Sequence, residues 1–111
     1  MQIPKTILEP ISEELKQIMI SISKESNFEI LEMETDKDHI HFLIKSEPKV
    51  SVLSIVRKLK QESTNRIWKT QKEYLEKYYW GEKTLWSDGY FASTIGNVSK
   101  EAAEYYIRNQ G

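Results

Sequence analysis

The sequence predicts an α+β domain in which helices lie over an antiparallel sheet. Apolar residues recur at helical spacing near the N-terminus and again after Ser51, and two segments between these stretches alternate as strands do. A chain of 111 residues with no cysteine is expected to form one domain, over residues 1–111, without disulfides or thiolate metal sites.

The first helix is expected to begin at Ser12, whose hydroxyl can cap it. Glu13 and Glu14 suit the positive end of the helix dipole, and residues 26–27 are expected to end the helix. Its apolar positions recur three and four residues apart: Ile11, Leu15, Ile18, Met19 and Ile22.

Two strands are predicted next, over residues 28–35 and 39–46, with a turn at residues 36–38. The first strand departs from strict alternation, so either both of its faces are covered or a β-bulge shifts the phase near Leu31. The second strand alternates between two sets of residues, with Ile40, Phe42 and Ile44 on one face and His39, His41 and Leu43 on the other.

The rest of the chain is predicted to add two or three helices and one strand. Ser51 can cap a long helix, residues 71–80 form a shorter helix or an irregular connection, residues 89–95 alternate as a strand, and Ser99 can cap a last helix. The long helix has one apolar stripe, which we expect to be buried: Val52, Ile55, Val56, Leu59, Ser63 and Ile67.

Charge is distributed unevenly along the chain. The net charge is −1, yet residues 1–48 carry −5 and residues 49–83 carry +5. This asymmetry points weakly to a polyanionic partner, and a solvated helix surface would give the same pattern. Uncharged runs are too short to span a bilayer and the N-terminus lacks a secretory layout, so we expect a cytoplasmic protein without membrane contact.

Two pairs of residues could carry chemistry. His39 and His41, the only histidines, project from one face of a strand and could share a divalent metal, although such residues are often ordinary strand histidines. Tyr106 and Gln110 lie one turn apart on the predicted last helix. A phenol can act as a nucleophile and an amide oxygen can bind a metal, but a tyrosine on an apolar helix face usually packs.

Taken together, these pairs resemble the single-tyrosine transposases of the smallest bacterial insertion sequences. The segment Asp38-His39-Ile40-His41 is similar to the histidine–hydrophobe–histidine strand of that family. Further similar blocks follow in the family's order and cover most of the chain: residues 56–60, 85–91, 94–99 and 106–110.

The resemblance implies a fold and a reaction. The fold would be a ferredoxin-like or RRM-like antiparallel sheet with helices on one face, plus a C-terminal helix over residues 99–110 that carries the tyrosine. His39, His41 and Gln110 would ligate Mg or Mn. Tyr106 would attack single-stranded DNA at hairpin ends and form a 5′-phosphotyrosine; it is chosen over Tyr105 because only Tyr106 precedes Gln110 by four residues.

The resemblance also implies a homodimer, in which the tyrosine helix of one subunit can complete the histidine site of the other. The basic residues 49–83 are a candidate DNA-binding surface, with Arg57 and Lys60 as the expected phosphate contacts. Four aromatic residues could stack on unpaired bases or could pack in the core or a dimer interface: Trp68, Tyr79, Trp80 and Trp86.

The sequence departs from the family at its N-terminus. Residues 5–8 already correspond to the approach to the first helix, so the N-terminal strand of the family is expected to be missing. That strand lies inside the sheet in the ferredoxin-like order, and its loss would leave backbone groups unpaired unless another segment takes its place. An alternative function is therefore a truncated or domesticated relative that binds hairpin DNA or RNA without cutting it.

Overall fold

The computed structural model describes residues 1–79, 81–90 and 92. Within them the elements are α1 (Lys5–Lys24), β1 (Phe28–Asp36), β2 (His39–Ser46), α2 (Val52–Thr70) and α3 (Lys72–Glu76). Helices packed on an antiparallel sheet confirm the predicted α+β class. The predicted strand over residues 89–95 lies mostly outside the described residues, and the predicted helix over residues 99–110 lies wholly outside them.

A bulge at Leu31 sets the register of the hairpin formed by β1 and β2. Ile30 pairs with Ile44 and Glu32 pairs with Leu43, so Leu31 is an extra residue on β1. The bulge shifts the alternation, and the later partners of Phe42 and Ile40 on β1 are Met33 and Thr35. Ile30 and Met33 of β1 therefore share the core face with Ile40, Phe42 and Ile44 of β2, which confirms the bulge that the sequence allowed.

The first three residues pair with the edge of β2 that lies away from β1. Gln2 forms an antiparallel bridge opposite His39. The Ile3 amide donates to the Asp38 carbonyl at 2.9 Å, and the Ile40 amide donates to the Met1 carbonyl at 2.9 Å. Residues 1–3 thus occupy part of the edge that the resemblance assigns to an N-terminal strand, and within the described residues these backbone bonds stop at Ile40.

Helix α1 begins at Lys5, so the prediction that Ser12 caps it was wrong. Ile7 and Leu8 are only 4% and 2% exposed, and burial of these side chains favours a helix that extends back over them. Pro10 lies inside the helix and has no amide hydrogen for the Thr6 carbonyl. The Tyr74 hydroxyl donates to that carbonyl instead, at 2.8 Å.

Helix α1 packs against β1 and α2, and their apolar side chains form one core. The predicted stripe of α2 is buried at Ile55, Leu59, Ser63 and Ile67. Val52 and Val56 depart from the prediction, because Val52 is 48% exposed in the first turn and Val56 is half-buried, while Trp68 is buried without having been predicted. The Ser51 side chain accepts a hydrogen bond from the Ser54 amide, which confirms the predicted cap.

Residues 84–89 form a loop without regular structure that is anchored to α2. The Trp68 indole donates to the Thr84 carbonyl at 2.8 Å, and the Trp86 indole donates to the hydroxyl of the fully buried Ser63, also at 2.8 Å. These bonds hold the loop beside residues 1–3, which pair with the edge of β2. Among the helices described, none is long and apolar enough to cross a membrane.

Candidate functional site

His39 and His41 lie side by side on the face of β2 opposite to the buried Ile40. Their rings are nearly parallel, with an interplanar angle of 8° and centroids 5.8 Å apart. The His39 side chain is 43% exposed. The alternation of the strand therefore presents the two imidazoles in one direction, as the sequence predicted.

Asp38 fixes the orientation of the His39 ring. The distance between His39 Nδ1 and Asp38 Oδ1 is 2.6 Å. A hydrogen bond from Gln2, and then the bond with His39, lower the pKa of Asp38, so the carboxylate is ionised and can only accept. His39 Nδ1 must then be the donor, and in the neutral ring the lone pair lies on Nε2, where a metal can bind.

His41 is kept in its neutral form by its surroundings. Burial is the largest cause that lowers the pKa of His41 below the ordinary value of an imidazole. A metal ligand must be deprotonated, so a lowered pKa favours coordination near neutral pH. The donor set and the protonation of the two rings therefore fit a divalent metal.

The neighbouring strand β1 carries carboxylates on the same face of the sheet as the histidines. Asp36 pairs with His39 and Glu34 pairs with His41, and residues directly opposite each other in an antiparallel pair share a face of the sheet. Nevertheless, within the part of the chain that the structure describes, no three His, Asp or Glu side chains are grouped closely enough to hold a metal. Among the described residues, the two imidazoles are therefore the part of such a site that the structure shows.

The two predicted residues of the last helix cannot be related to this geometry. Tyr106 and Gln110 both lie outside the described residues. The structure therefore brings His39 and His41 together, while the roles of Tyr106 and Gln110 stay predictions.

The two predicted phosphate contacts have different surroundings. Arg57 is exposed on α2 and, with Ser54 and Lys58, lines an open surface depression. Lys60 is half-buried, and its ammonium donates to the Ser87 carbonyl at 3.0 Å and to the Gly89 carbonyl at 2.7 Å. Arg57 is therefore placed to meet a ligand, whereas two of the three donors of Lys60 already hold the 84–89 loop.

The aromatic residues considered for base stacking are largely part of the core. Trp68 and Trp86 are 6% and 9% exposed, which leaves no ring face open to a base. Tyr79 is half-buried and its hydroxyl donates to the Leu85 carbonyl at 2.6 Å. Trp80 lies outside the described residues. For both buried tryptophans the packing interpretation is the one that the structure supports.

Sequence reasoning missed Gln2. Its side-chain amide donates to Asp38 Oδ2 at 3.2 Å, so it contacts the carboxylate that orients His39. The two residues are 36 positions apart, and no motif or periodicity in the first three residues pointed to this contact.

Comparison with known proteins places this sequence in a family. The sequence matches the family described as "Transposase IS200 like" over residues 4–110. It is 27% identical over 100 residues to the ISDra2 transposase TnpA of Deinococcus radiodurans, a match that covers 90% of this chain and 70% of that protein.

Two further comparisons agree. The chain is 31% identical over 93 residues to the transposase for insertion sequence element IS200 of Salmonella typhimurium; the match covers 84% of this chain but only 59% of that relative's length. A crystal structure described as that of a transposase from Deinococcus radiodurans R1 superposes with a TM-score of 0.70 and 25% identity, covering 96% of this chain and 81% of the other. The family match spans nearly all of the sequence, and the chain therefore belongs to the IS200-like transposase family.

Proposed function

We propose that this protein is a transposase that cuts and rejoins single-stranded DNA at the ends of an insertion sequence, where it recognises hairpins. Membership of the IS200-like family supports the reaction class. The observation that carries the chemistry is the pair of parallel imidazoles of His39 and His41 on the open face of β2.

His39, His41 and Gln110 would hold a divalent metal, Mg or Mn. Asp38 leaves the Nε2 lone pair of His39 free, and burial keeps His41 neutral, so both rings are ready to coordinate. The bound metal would supply positive charge against the phosphate oxygens that become more negative during attack. Gln110 would add a neutral amide oxygen, which leaves the charge of the metal undiminished.

Tyr106 would be the nucleophile. Its phenolic oxygen forms a bond to the scissile phosphorus while the bond from phosphorus to the 3′ oxygen breaks, and the released strand leaves as a 3′-hydroxyl. The phenol must lose its proton during the attack, because its ordinary pKa is about 10. The 5′-phosphotyrosine keeps the free energy of the broken linkage, so a second 3′-hydroxyl can displace the tyrosine and reseal the DNA without ATP.

DNA would be held by the basic residues 49–83, with the exposed Arg57 as an expected phosphate contact. We also propose a homodimer in which the helix that carries Tyr106 can complete the histidine site of the other subunit. A second copy is one source for the ligand that the described residues do not supply to the two imidazoles.

A covalent-adduct assay tests this function. The protein is incubated with single-stranded hairpin DNA from the ends of its own element and with Mg or Mn, and denaturing gels reveal any protein–DNA adduct. We expect an adduct that is lost in Tyr106→Phe and retained in the matched control Tyr105→Phe. His39→Ala should reduce it strongly, because one imidazole cannot replace two.

Two results would contradict the proposal. An undiminished adduct in Tyr106→Phe would show that Tyr106 is not the nucleophile. Tight hairpin binding by the intact protein with no covalent product under either metal would favour the alternative, a relative that binds hairpin DNA or RNA without cutting it.

A further inference from the structure

The carboxylate of Asp38 is held by two residues at once. Its Oδ1 lies 2.6 Å from His39 Nδ1, and its Oδ2 accepts a hydrogen bond from Gln2 Nε2 at 3.2 Å. Both oxygens are thereby engaged on opposite sides of the group. Rotation of the carboxylate away from His39 would break the bond with Gln2 as well, so the amide stabilises the orientation that faces the ring.

The backbone of Gln2 is itself fixed in place. Gln2 bridges to His39, and the neighbouring Ile3 amide donates to the Asp38 carbonyl at 2.9 Å. The Gln2 carbonyl accepts a hydrogen bond from the Ser87 amide at 2.8 Å. Because the main chain is held on both sides, only the side-chain torsions of Gln2 remain to be ordered when the amide reaches Asp38.

Helix α2 completes this arrangement through Lys60. Its ammonium bonds the carbonyls of Ser87 and Gly89, which ties the loop that contacts Gln2 to the core. A continuous set of hydrogen bonds therefore runs from α2 through the 84–89 loop and Gln2 to Asp38 and His39. Such outer contacts commonly orient the histidines of metal sites.

We propose that Gln2 is a positioning residue for His39: its amide holds the Asp38 carboxylate so that His39 keeps its proton on Nδ1 and presents Nε2 to a divalent metal. This inference rests on the proposed metal role of His39 and His41 and extends it to a residue outside the family's matched segment, which begins at residue 4.

The test uses the full chain with Gln2→Met, which keeps the length of the side chain and removes the donor, and with Gln2→Ala. The control Gln17→Ala removes an exposed glutamine from α1. Binding of Mn²⁺ is measured by isothermal titration calorimetry. Removal of outer contacts typically weakens metal binding 10- to 100-fold, and we expect about 3- to 10-fold here because the Gln2–Asp38 bond is exposed to water.

A second readout needs no metal. Nitrogen-15 NMR at about pH 8, above the ordinary imidazole pKa of about 6.5, reports which ring nitrogen carries the proton. We expect the Nδ1–H form of His39 to dominate in the wild-type protein and in Gln17→Ala, and the Nε2–H form to increase in both Gln2 variants. Thermal unfolding checks that the variants stay folded, and a merely structural role of Gln2 would not alter the tautomer.

Unchanged tautomer populations in both Gln2 variants, or Mn²⁺ affinities within twofold of the wild type, would overturn the inference. Failure of the wild-type protein to bind Mn²⁺ would instead contradict the proposed metal site. In that case the NMR measurement would still decide whether Gln2 controls the His39 ring, so the two failures are distinguishable.

Discussion

The two imidazoles of β2 differ in what sets their protonation. Asp38 selects the tautomer of His39 through a direct hydrogen bond. His41 depends on partial burial, which lowers its pKa and favours the uncharged ring. One histidine is thus oriented by a partner and the other is kept neutral by its environment, and both effects leave a nitrogen lone pair available for a metal.

The lowered pKa of His41 predicts how stability depends on pH. The folded protein resists protonation of this ring, whereas the unfolded chain accepts a proton near pH 6.5. The contribution of His41 to stability is therefore complete above that pH and is lost as the pH falls through the lower folded value. We expect an NMR titration of the His41 ring to give a pKa below 6.5.

Urea unfolding at several pH values provides the matching control. Between about pH 7 and pH 5, the free energy of unfolding should decrease less in His41→Asn than in the wild-type protein, because the variant lacks this titrating group. A His41 pKa at or above the ordinary imidazole value would show that burial does not control this ring.

At the scale of single elements, α1 shows how a tertiary contact can stabilise a helix with an internal proline. Pro10 removes the amide that would bond the Thr6 carbonyl, and the Tyr74 hydroxyl reaches that carbonyl from the region of α3. The hydroxyl also lies 3.1 Å from the Ile7 carbonyl. The bond from Tyr74 thus replaces a hydrogen bond that the helix itself cannot form.

A double-mutant cycle tests this compensation. Tyr74→Phe should lower the free energy of unfolding by about 1 kcal/mol, the usual net value of one hydrogen bond. In the Pro10→Ala background the new amide can bond the Thr6 carbonyl, so the same substitution should cost less. Urea denaturation of the four proteins gives the coupling, and an equal cost of Tyr74→Phe in both backgrounds would contradict it.

The hairpin was predictable from the sequence because its signals are local. Alternation predicted β2 and the placement of His39 and His41. The broken alternation of β1 left two alternatives, two covered faces or a bulge near Leu31, and the structure has the bulge. The start of α1 was not predictable in this way. The capping hydroxyl of Ser12 suggested a later start, whereas the helix is extended by burial of Ile7 and by a hydroxyl from a residue 68 positions from Thr6.

Only the part of the site that depends on residue type and local spacing was predictable from the sequence. Two histidines on one strand face follow from the spacing of two, but the contact between Gln2 and Asp38 depends on residues 1–3 folding back along β2. Likewise, the sequence indicated that Lys60 is an exposed cation on a basic helix. Its two bonds span 27 and 29 residues, and no local pattern shows that a loop will reach it.

At the scale of the whole molecule, charge is distributed unevenly between the strand beside the histidines and the helix side. The strand opposite the histidines carries Asp36 and Glu34, whose charges repel DNA phosphates. The basic excess of residues 49–83 lies largely on α2 and the segment that follows it. Attraction of DNA is therefore expected from the helix side, and Arg57 is its most accessible predicted contact.

Substitution of Arg57 tests this distribution of roles. Arg57→Ala should weaken binding of single-stranded DNA and reduce the slope of log affinity against log salt concentration by about 0.7, the value for one phosphate contact on a single strand. Unfolding should change little, because Arg57 is exposed. Lys24→Ala, which removes an exposed cation from the acidic half of the chain, is the control. It should leave the affinity for single-stranded DNA and the salt slope unchanged.

Lys60 should behave in the opposite way. Lys60→Met removes the bonds to Ser87 and Gly89, so we expect the free energy of unfolding to fall by about 1 kcal/mol or more. The salt slope of DNA binding should change less than in Arg57→Ala, because the ammonium of Lys60 is already engaged by two carbonyls. If Lys60→Met instead reduced the salt slope as much as Arg57→Ala and left unfolding unchanged, Lys60 would be a phosphate contact and the loop would be held by its other anchors, Trp68 and Trp86.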